Sequence, residues 1–274
     1  MKKIIALLAV IAMLFAFAGC TADQNKDNAS DASQAKKPTV VVGYTIYKPM
    51  NYLDDAGTLI GFDTELAEAV FEGLGYKVVF KEIKWENKYT ELESGAINCV
   101  WNGFTCNTAD DDGVARADKV DFSYNYMENR QVVVVKKDSG IAAKKDLVGK
   151  IADAENGSAG ETYAKGLADN IVFKGAPKQT DCLMSVKSGN ADFAVLDAQL
   201  AKSYCGKGDY AELQIVDALS SDVEYYAIGF KKGSELTAKV NEQLEELAKD
   251  GTITDLAKKY GLETTAITDF ADQK

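Results

Sequence analysis

The chain contains no histidine. That absence removes Ser-His-Asp and Cys-His catalysis, and every histidine-containing metal site, at one stroke. Arginine is almost as scarce. Arg116 and Arg130 are the only two, so a bidentate clamp on a carboxylate has two candidates. Three prolines, Pro38, Pro49 and Pro177, are too few for a rigid linker between domains. Positive charge is short as well: 31 Lys and Arg face 42 Asp and Glu, a net charge of −11. Such a surface argues against nucleic acid and against direct adhesion to anionic lipid.

What is present begins with Met1-Lys2-Lys3 and an apolar run from Ile4 to Ala18, followed by Gly19 and Cys20. The run is too short and wrongly flanked for a membrane span, and it ends in small residues at a cleavage-type site. Residues 1–19 are therefore expected to be a signal peptide. The Cys20 junction resembles a bacterial lipobox, with Phe17 where Leu is usual, so Cys20 is expected to carry lipid. Residues 20–37 are polar, small and free of aromatics, which predicts a flexible tether. At random-coil scaling it would reach roughly 20–25 Å. Loss of Lys2 and Lys3 leaves the mature charge at −13.

The remaining cysteines are Cys99, Cys106, Cys182 and Cys205. Their spacing fits no zinc pattern, and an even number in an exported protein suggests disulfides. Three pairings are open. Cys182 with Cys205 is favoured, because the two fall on successive helical segments; Cys99 with Cys106 would close a small loop. Four buried free thiols are the alternative.

From Pro38 onward about 237 residues remain, enough for one large domain or two of about 120. Hydrophobic content of 46% and charged content of 27% suit a soluble globular body. Apolar or β-branched runs at 39–44, 76–81, 97–101, 132–135, 147–152, 171–173, 191–196 and 225–230 predict strands. Amphipathic runs at 64–74, 88–94, 160–168, 180–188, 198–204, 234–249 and 253–260 predict helices. Their alternation is the signature of an α/β fold, and two such cycles suggest two lobes with a cleft.

Several motifs follow one another at regular intervals. They are Val42-Gly43 with Tyr47-Lys48-Pro49, then Gly61-Phe62-Asp63-Thr64-Glu65-Leu66-Ala67, Ser94-Gly95-Ala96-Ile97-Asn98 and Val120-Asp121-Phe122-Ser123. Gly189-Asn190-Ala191-Asp192 comes next, and the ending is Asp250-Gly251-Thr252-Ile253 with Lys259-Tyr260-Gly261. In this order, from Val40 to Leu262, they resemble the family 3 solute-binding proteins of ABC importers, the polar-amino-acid-binding type. The resemblance implies a bilobal periplasmic-binding-protein-like fold of type II, two α/β lobes joined by two crossing segments. Lobe 1 would be 38–129 plus 227–274 and lobe 2 would be 131–224. It also implies a receptor and not an enzyme: a lipid-anchored, monomeric protein on the outer face of the cytoplasmic membrane. Without metal or cofactor, it would close on an α-amino acid and deliver it to an ABC-type permease. A dehydratase-like cleft enzyme and a surface amino-acid sensor are the alternatives.

An α-amino acid brings a carboxylate and an ammonium, and each is costly to bury unpaired. By the resemblance, Arg116, a few residues before Val120-Asp121-Phe122-Ser123, would clamp the carboxylate. The loop from Cys106 to Ala115 is longer than the family's turn, so whether Arg116 reaches is a structural question, with Arg130 as the fallback. Asp197, at the end of the 191–196 strand where α/β ligands bind, would take the ammonium or cap the next helix. Asn102, Gly103 and Thr105 match a segment that touches both ligand charges. Ser158 and Ala159, after Gly157, match a loop offering backbone N–H groups at a helix start. Tyr47 and Trp85 match aromatics that flank the ligand side chain, while Trp101 is expected in the core. Cystine, glutamine and a basic amino acid all remain open as ligands, and no counter-charge for a basic side chain stands out.

Overall fold

β-Branched strands separated by amphipathic helices bury both faces of a sheet, and this chain does so twice. The computed structural model describes residues 37–273; the expected signal peptide, Cys20 and the expected tether as far as Lys36 lie outside them. Strand β1 (Thr39–Tyr44) leads through a small hairpin, β2 (Tyr52–Leu53) and β3 (Leu59–Ile60), into helix α1 (Phe62–Gly73). There follow β4 (Lys77–Glu82), α2 (Lys88–Glu93), β5 (Cys99–Val100), the single turn α3 (Arg116–Lys119) and β6 (Asp121–Phe122). β7 (Met127–Asn129) then crosses to a second α/β cycle. Its elements are β8 (Gln131–Lys136), β9 (Ile151–Glu155), α4 (Ala159–Gly166), β10 (Val172–Ala176) and α5 (Gln179–Ser188). β11 (Phe193–Asp197), α6 (Ala198–Tyr204) and β12 (Leu213–Val216) complete it. β13 (Glu224–Tyr226) crosses back to β14 (Gly229–Phe230), and α7 (Leu236–Lys249) and α8 (Thr252–Tyr260) pack on α1.

The first sheet runs β4-β1-β5-β14-β6 and the second β10-β9-β11-β8-β12. In the first, β1 pairs in parallel with β4 and β5; in the second, β9 pairs in parallel with β10 and β11, and β8 runs antiparallel to β11 and β12. The crossings pair with each other, Asn129 opposite Glu224 and Met127 opposite Tyr226. The valine run of β8 shows why so apolar a strand belongs at the centre. Val132 and Val134 pack in one core with Leu183 and Val186 of α5, while Val133 and Val135 pack on the other face with Leu147 and Ala164. Successive side chains alternate faces, and both faces are covered.

Three expectations need correction. The run 225–230 is not one strand but two, β13 and β14, because the chain passes there from the crossing ribbon into the first sheet. Residues 147–152 yield strand only from Ile151, since Gly149, at φ +70°, turns the chain first. The disulfide between Cys182 and Cys205 is not formed: both, like Cys99 and Cys106, are free thiols. Cys182 is buried within α5 and its thiol faces the carbonyl of the N-cap residue Lys178 at 3.5 Å, while Cys205 lies just past the end of α6. Among the described residues no helix is long and apolar enough to cross a membrane.

The Gly61-Phe62-Asp63 motif has a physical cause. The N–H groups of Phe62 and Asp63, left free at the start of α1, donate to the carbonyls of Pro49 and Met50 at 2.9 and 3.0 Å. That backbone approach is so close that a Cβ on Gly61, at φ +133°, would stand 2.1 Å from Met50 O. Gly61→Ala is expected to destabilise the fold by ~2 kcal/mol or more, read as a lowered urea midpoint at unchanged slope.

Candidate functional site

The chain turns sharply after β5, and the turn is held from below. The buried Asp63 carboxylate accepts from the Gly103 N–H and the Tyr126 hydroxyl, both at 2.9 Å. Burial pushes the Asp63 carboxyl up to about 7, against the opposing effect of those two donors. The Asn102 amide accepts from the Thr45 hydroxyl at 2.7 Å and donates to Asn51 Oδ1 at 2.7 Å and the Thr45 carbonyl at 2.9 Å. Its side chain is committed to the scaffold. Thr105 follows, its hydroxyl donating to Glu224 Oε1 at 3.0 Å.

Arg116 opens α3 and is only 1% exposed. The long loop before it does not displace it; it supplies the residue that fixes it. Arg116 Nε donates to Asp110 Oδ1 at 2.8 Å, Nη1 to the Thr105 carbonyl at 3.2 Å and Nη2 to the Gly157 carbonyl at 3.3 Å. A guanidinium has five N–H donors, so each terminal nitrogen keeps one for another acceptor. Although burial works against it, the Arg116 charge, with bonds from Lys119 and Tyr89, holds the Asp110 carboxyl down at about 2. Arg130, by contrast, is exposed and donates to the Ser221 carbonyl at 2.8 Å.

The opposite wall belongs to the second sheet. Asp197 ends β11 and precedes α6, but its side chain makes no capping bond. Its Oδ1 accepts from Asn129 Nδ2 at 2.8 Å and Gln131 Nε2 at 2.6 Å, and its Oδ2 accepts from Gln179 Nε2. The same two nitrogens of Asn129 and Gln131 donate to Glu224 Oε1, each at 2.6 Å. Burial raises both carboxyls above their ordinary range, and for Glu224 the Asp197 charge adds to it. Glu155, at the end of β9, is 3% exposed, and burial followed by the Asp197 charge pushes it to about 8. The Gly157 and Ser158 N–H groups are spent on Glu161 and on the Glu155 carbonyl. Ala159 is the first residue of α4, where helical N–H groups have no partner within the helix.

One cleft is lined by Trp85, Asn102, Gly103, Thr105, Arg116, Glu155, Ser158, Ala159, Gln179 and Asp197. Eight of the nine residues expected from sequence meet there. Tyr47 does not: it is buried behind the turn, its ring against Gly103 and its hydroxyl 2.6 Å from that of Tyr226. Trp101 lies in the core beside Phe71. Glu155 and Gln179 were missed. Glu155 was findable, since it ends a strand just as Asp197 does, where α/β folds bind ligands. Lys88, 1% exposed, was missed as well: its ammonium donates to the Gly157 carbonyl at 2.9 Å and lies over the rings of Trp85, Tyr89 and Phe104. Burial, then the Arg116 charge, lowers it to about 7.

Two α/β lobes, two crossing strands and a charged cleft between them define a type II periplasmic-binding-protein-like molecule. The chain belongs to the bacterial extracellular solute-binding proteins, family 3, whose pattern matches residues 40–263. It is 30% identical over 263 residues to the arginine-binding extracellular protein ArtP of Bacillus subtilis, covering 95% of this chain and 98% of that one. It is 33% identical over 275 residues to the L-cystine-binding protein TcyA of the same organism, covering 95% and 97%. Among solved structures, an ancestral arginine-binding protein bound to arginine superposes with a TM-score of 0.74 at 34% identity, covering 82% of this chain and 98% of that one.

The shifted groups set a pH dependence. Asp63 at about 7 and Glu155 at about 8 stand above the ordinary carboxylate range near 4. The folded chain therefore binds more protons than the unfolded chain between about pH 4 and 8, and stability falls as pH rises through that window. Lys88, at about 7 against an ordinary value near 10.5, binds fewer protons when folded, so stability rises from about pH 7 to 10.5. The ligand-free protein is expected to show a minimum in its urea midpoint between about pH 7 and 8. A midpoint that peaks there would mean these groups are fully paired in solution.

Proposed function

We propose that this protein is a lipid-anchored receptor that captures an α-amino acid outside the cytoplasmic membrane and hands it to an ABC-type permease. The observation that carries the reading is one cleft presenting Arg116, with a free N–H on each terminal nitrogen, opposite the buried Asp197 carboxylate. Arg116 and the Ala159 N–H would seat the ligand carboxylate, Asp197 the ammonium, and Trp85 would wall the side chain. The lobes are 38–129 plus 227–274 and 131–224, so neither alone holds both charges, and ligand favours the shut state. Ties across the cleft support such a state: Lys88 and Arg116 share the Gly157 carbonyl, Lys165 pairs with Asp111 at 2.6 Å and Lys178 with Glu82 at 2.6 Å. A polar or charged ligand side chain suits a wall this rich in carboxylates and amides, and the receptor is expected to act as a monomer.

A dehydratase-like cleft enzyme is the second reading, favoured by Glu155, since a carboxyl held protonated near neutrality is what a general acid requires. Recovery of the bound molecule unchanged after long incubation would retire it.

Protein stripped of copurified ligand by denaturation and refolding is expected to bind one class of amino acid at micromolar concentration or below in a calorimetric panel of the twenty amino acids and cystine. Asp197→Asn and Arg116→Ala should each weaken that binding by about 2–5 kcal/mol while leaving the circular dichroism spectrum unchanged. Full affinity in the Arg116 variant would remove the carboxylate seat. Cys20→Ala is expected to move the protein from the membrane fraction to the soluble one; retention in the membrane would refute the lipid anchor.

A further inference from the structure

We propose that Glu155 is the seat for a second cationic nitrogen, so that the ligand is an amino acid carrying a positive group beyond its α-ammonium. The inference rests on the receptor reading and deepens it. Glu155 lines the same cleft as Arg116 and Asp197 and is 3% exposed, yet its Oε1 has no hydrogen-bond partner among the described residues. A buried carboxylate oxygen without a partner is costly unless something that binds there supplies the donor. Neighbouring cations do not fill that role. Lys88 donates to the Gly157 carbonyl and sits over three aromatic rings, and Lys178 pairs with Glu82; neither forms an ion pair with Glu155.

The charge balance points the same way. A zwitterionic head group adds one charge of each sign and leaves the balance of the cleft unchanged. Arg116 is already matched by Asp110, and among the described residues Lys88 is the one other buried cation, set against Glu155, Asp197 and Glu224. After the head group is seated, the wall still holds more carboxyl groups than cations, and among the described residues that line the cleft Glu155 is the one with an unpartnered side-chain oxygen. A second ligand cation would meet it there. Two ligand types carry such a group: a basic side chain, as in lysine or arginine, and the second head of a doubled amino acid such as cystine.

Calorimetric titration of the refolded protein with matched pairs tests this without any variant. L-Lysine against L-norleucine, L-arginine against L-citrulline, and L-cystine against the mixed disulfide of L-cysteine with 3-mercaptopropionate differ by the second cation. At least one cationic member is expected to bind tenfold or more tightly than its partner, and the pair that does so tells a basic side chain from a doubled head. Glu155→Gln should erase that ratio. Equal binding within every pair, or a ratio that survives Glu155→Gln, would overturn the assignment; in either case binding of the members without the second cation leaves the receptor reading standing. Silence from every amino acid would overturn both.

Discussion

Two carboxylates buried against the same pair of amide nitrogens hold this molecule together where its chain changes lobes. Asp197 comes from the end of β11 and Glu224 from the start of the return crossing, while Asn129 and Gln131 flank the outward crossing. Without those shared donors, the like charges would meet in a low dielectric with nothing between them. The network ties together the two crossings and the floor of the cleft. It is thus at once the fold's joint and the seat that the proposed function gives to the ligand ammonium.

A second junction lies on the other side of the cleft, at one backbone oxygen. The Gly157 carbonyl receives Lys88 and Arg116 from the first sheet's side. A helix start usually offers N–H donors to anions; here Gly157, just before the N-cap Ser158, offers a carbonyl to two cations, and those cations carry wall elements of the opposite lobe. The loop between Cys106 and Ala115 contributes twice to this arrangement, through Asp110 beneath the guanidinium and through Asp111 paired with Lys165. What reads in sequence as an interruption of the family's turn is, in the fold, the support of its arginine.

Much of this is legible in the sequence. Helices such as 198–204 and strands such as 132–135 announce themselves by period and composition. The Arg116 and Asp197 positions followed from the motif order and from the end-of-strand rule. Glu155 obeys the same rule but was overlooked, because a single glutamate in an acidic chain carries no local signal of burial. Lys88 was hidden for a related reason. It lies on an ordinary amphipathic turn, and only the arrival of Phe104 from the turn after β5, beside the local rings of Trp85 and Tyr89, makes it internal. The short strands β6, β7 and β12 owe their conformation to neighbours distant in sequence, which no local propensity encodes. Tyr47 shows the limit of motif matching: an aromatic placed by its motif can serve the wall from behind it.

The two tryptophans occupy opposite kinds of place. Trp101 is sealed in the first lobe's core against Phe71, and Trp85 stands on the cleft wall with the Lys88 ammonium over its ring. Ultraviolet emission from the intact chain therefore contains a silent background and a single responsive dye, with a cation already poised to quench it. Any event that shifts that ammonium or shields that indole from water writes itself into the emission, and no label need be attached to follow the cleft in real time.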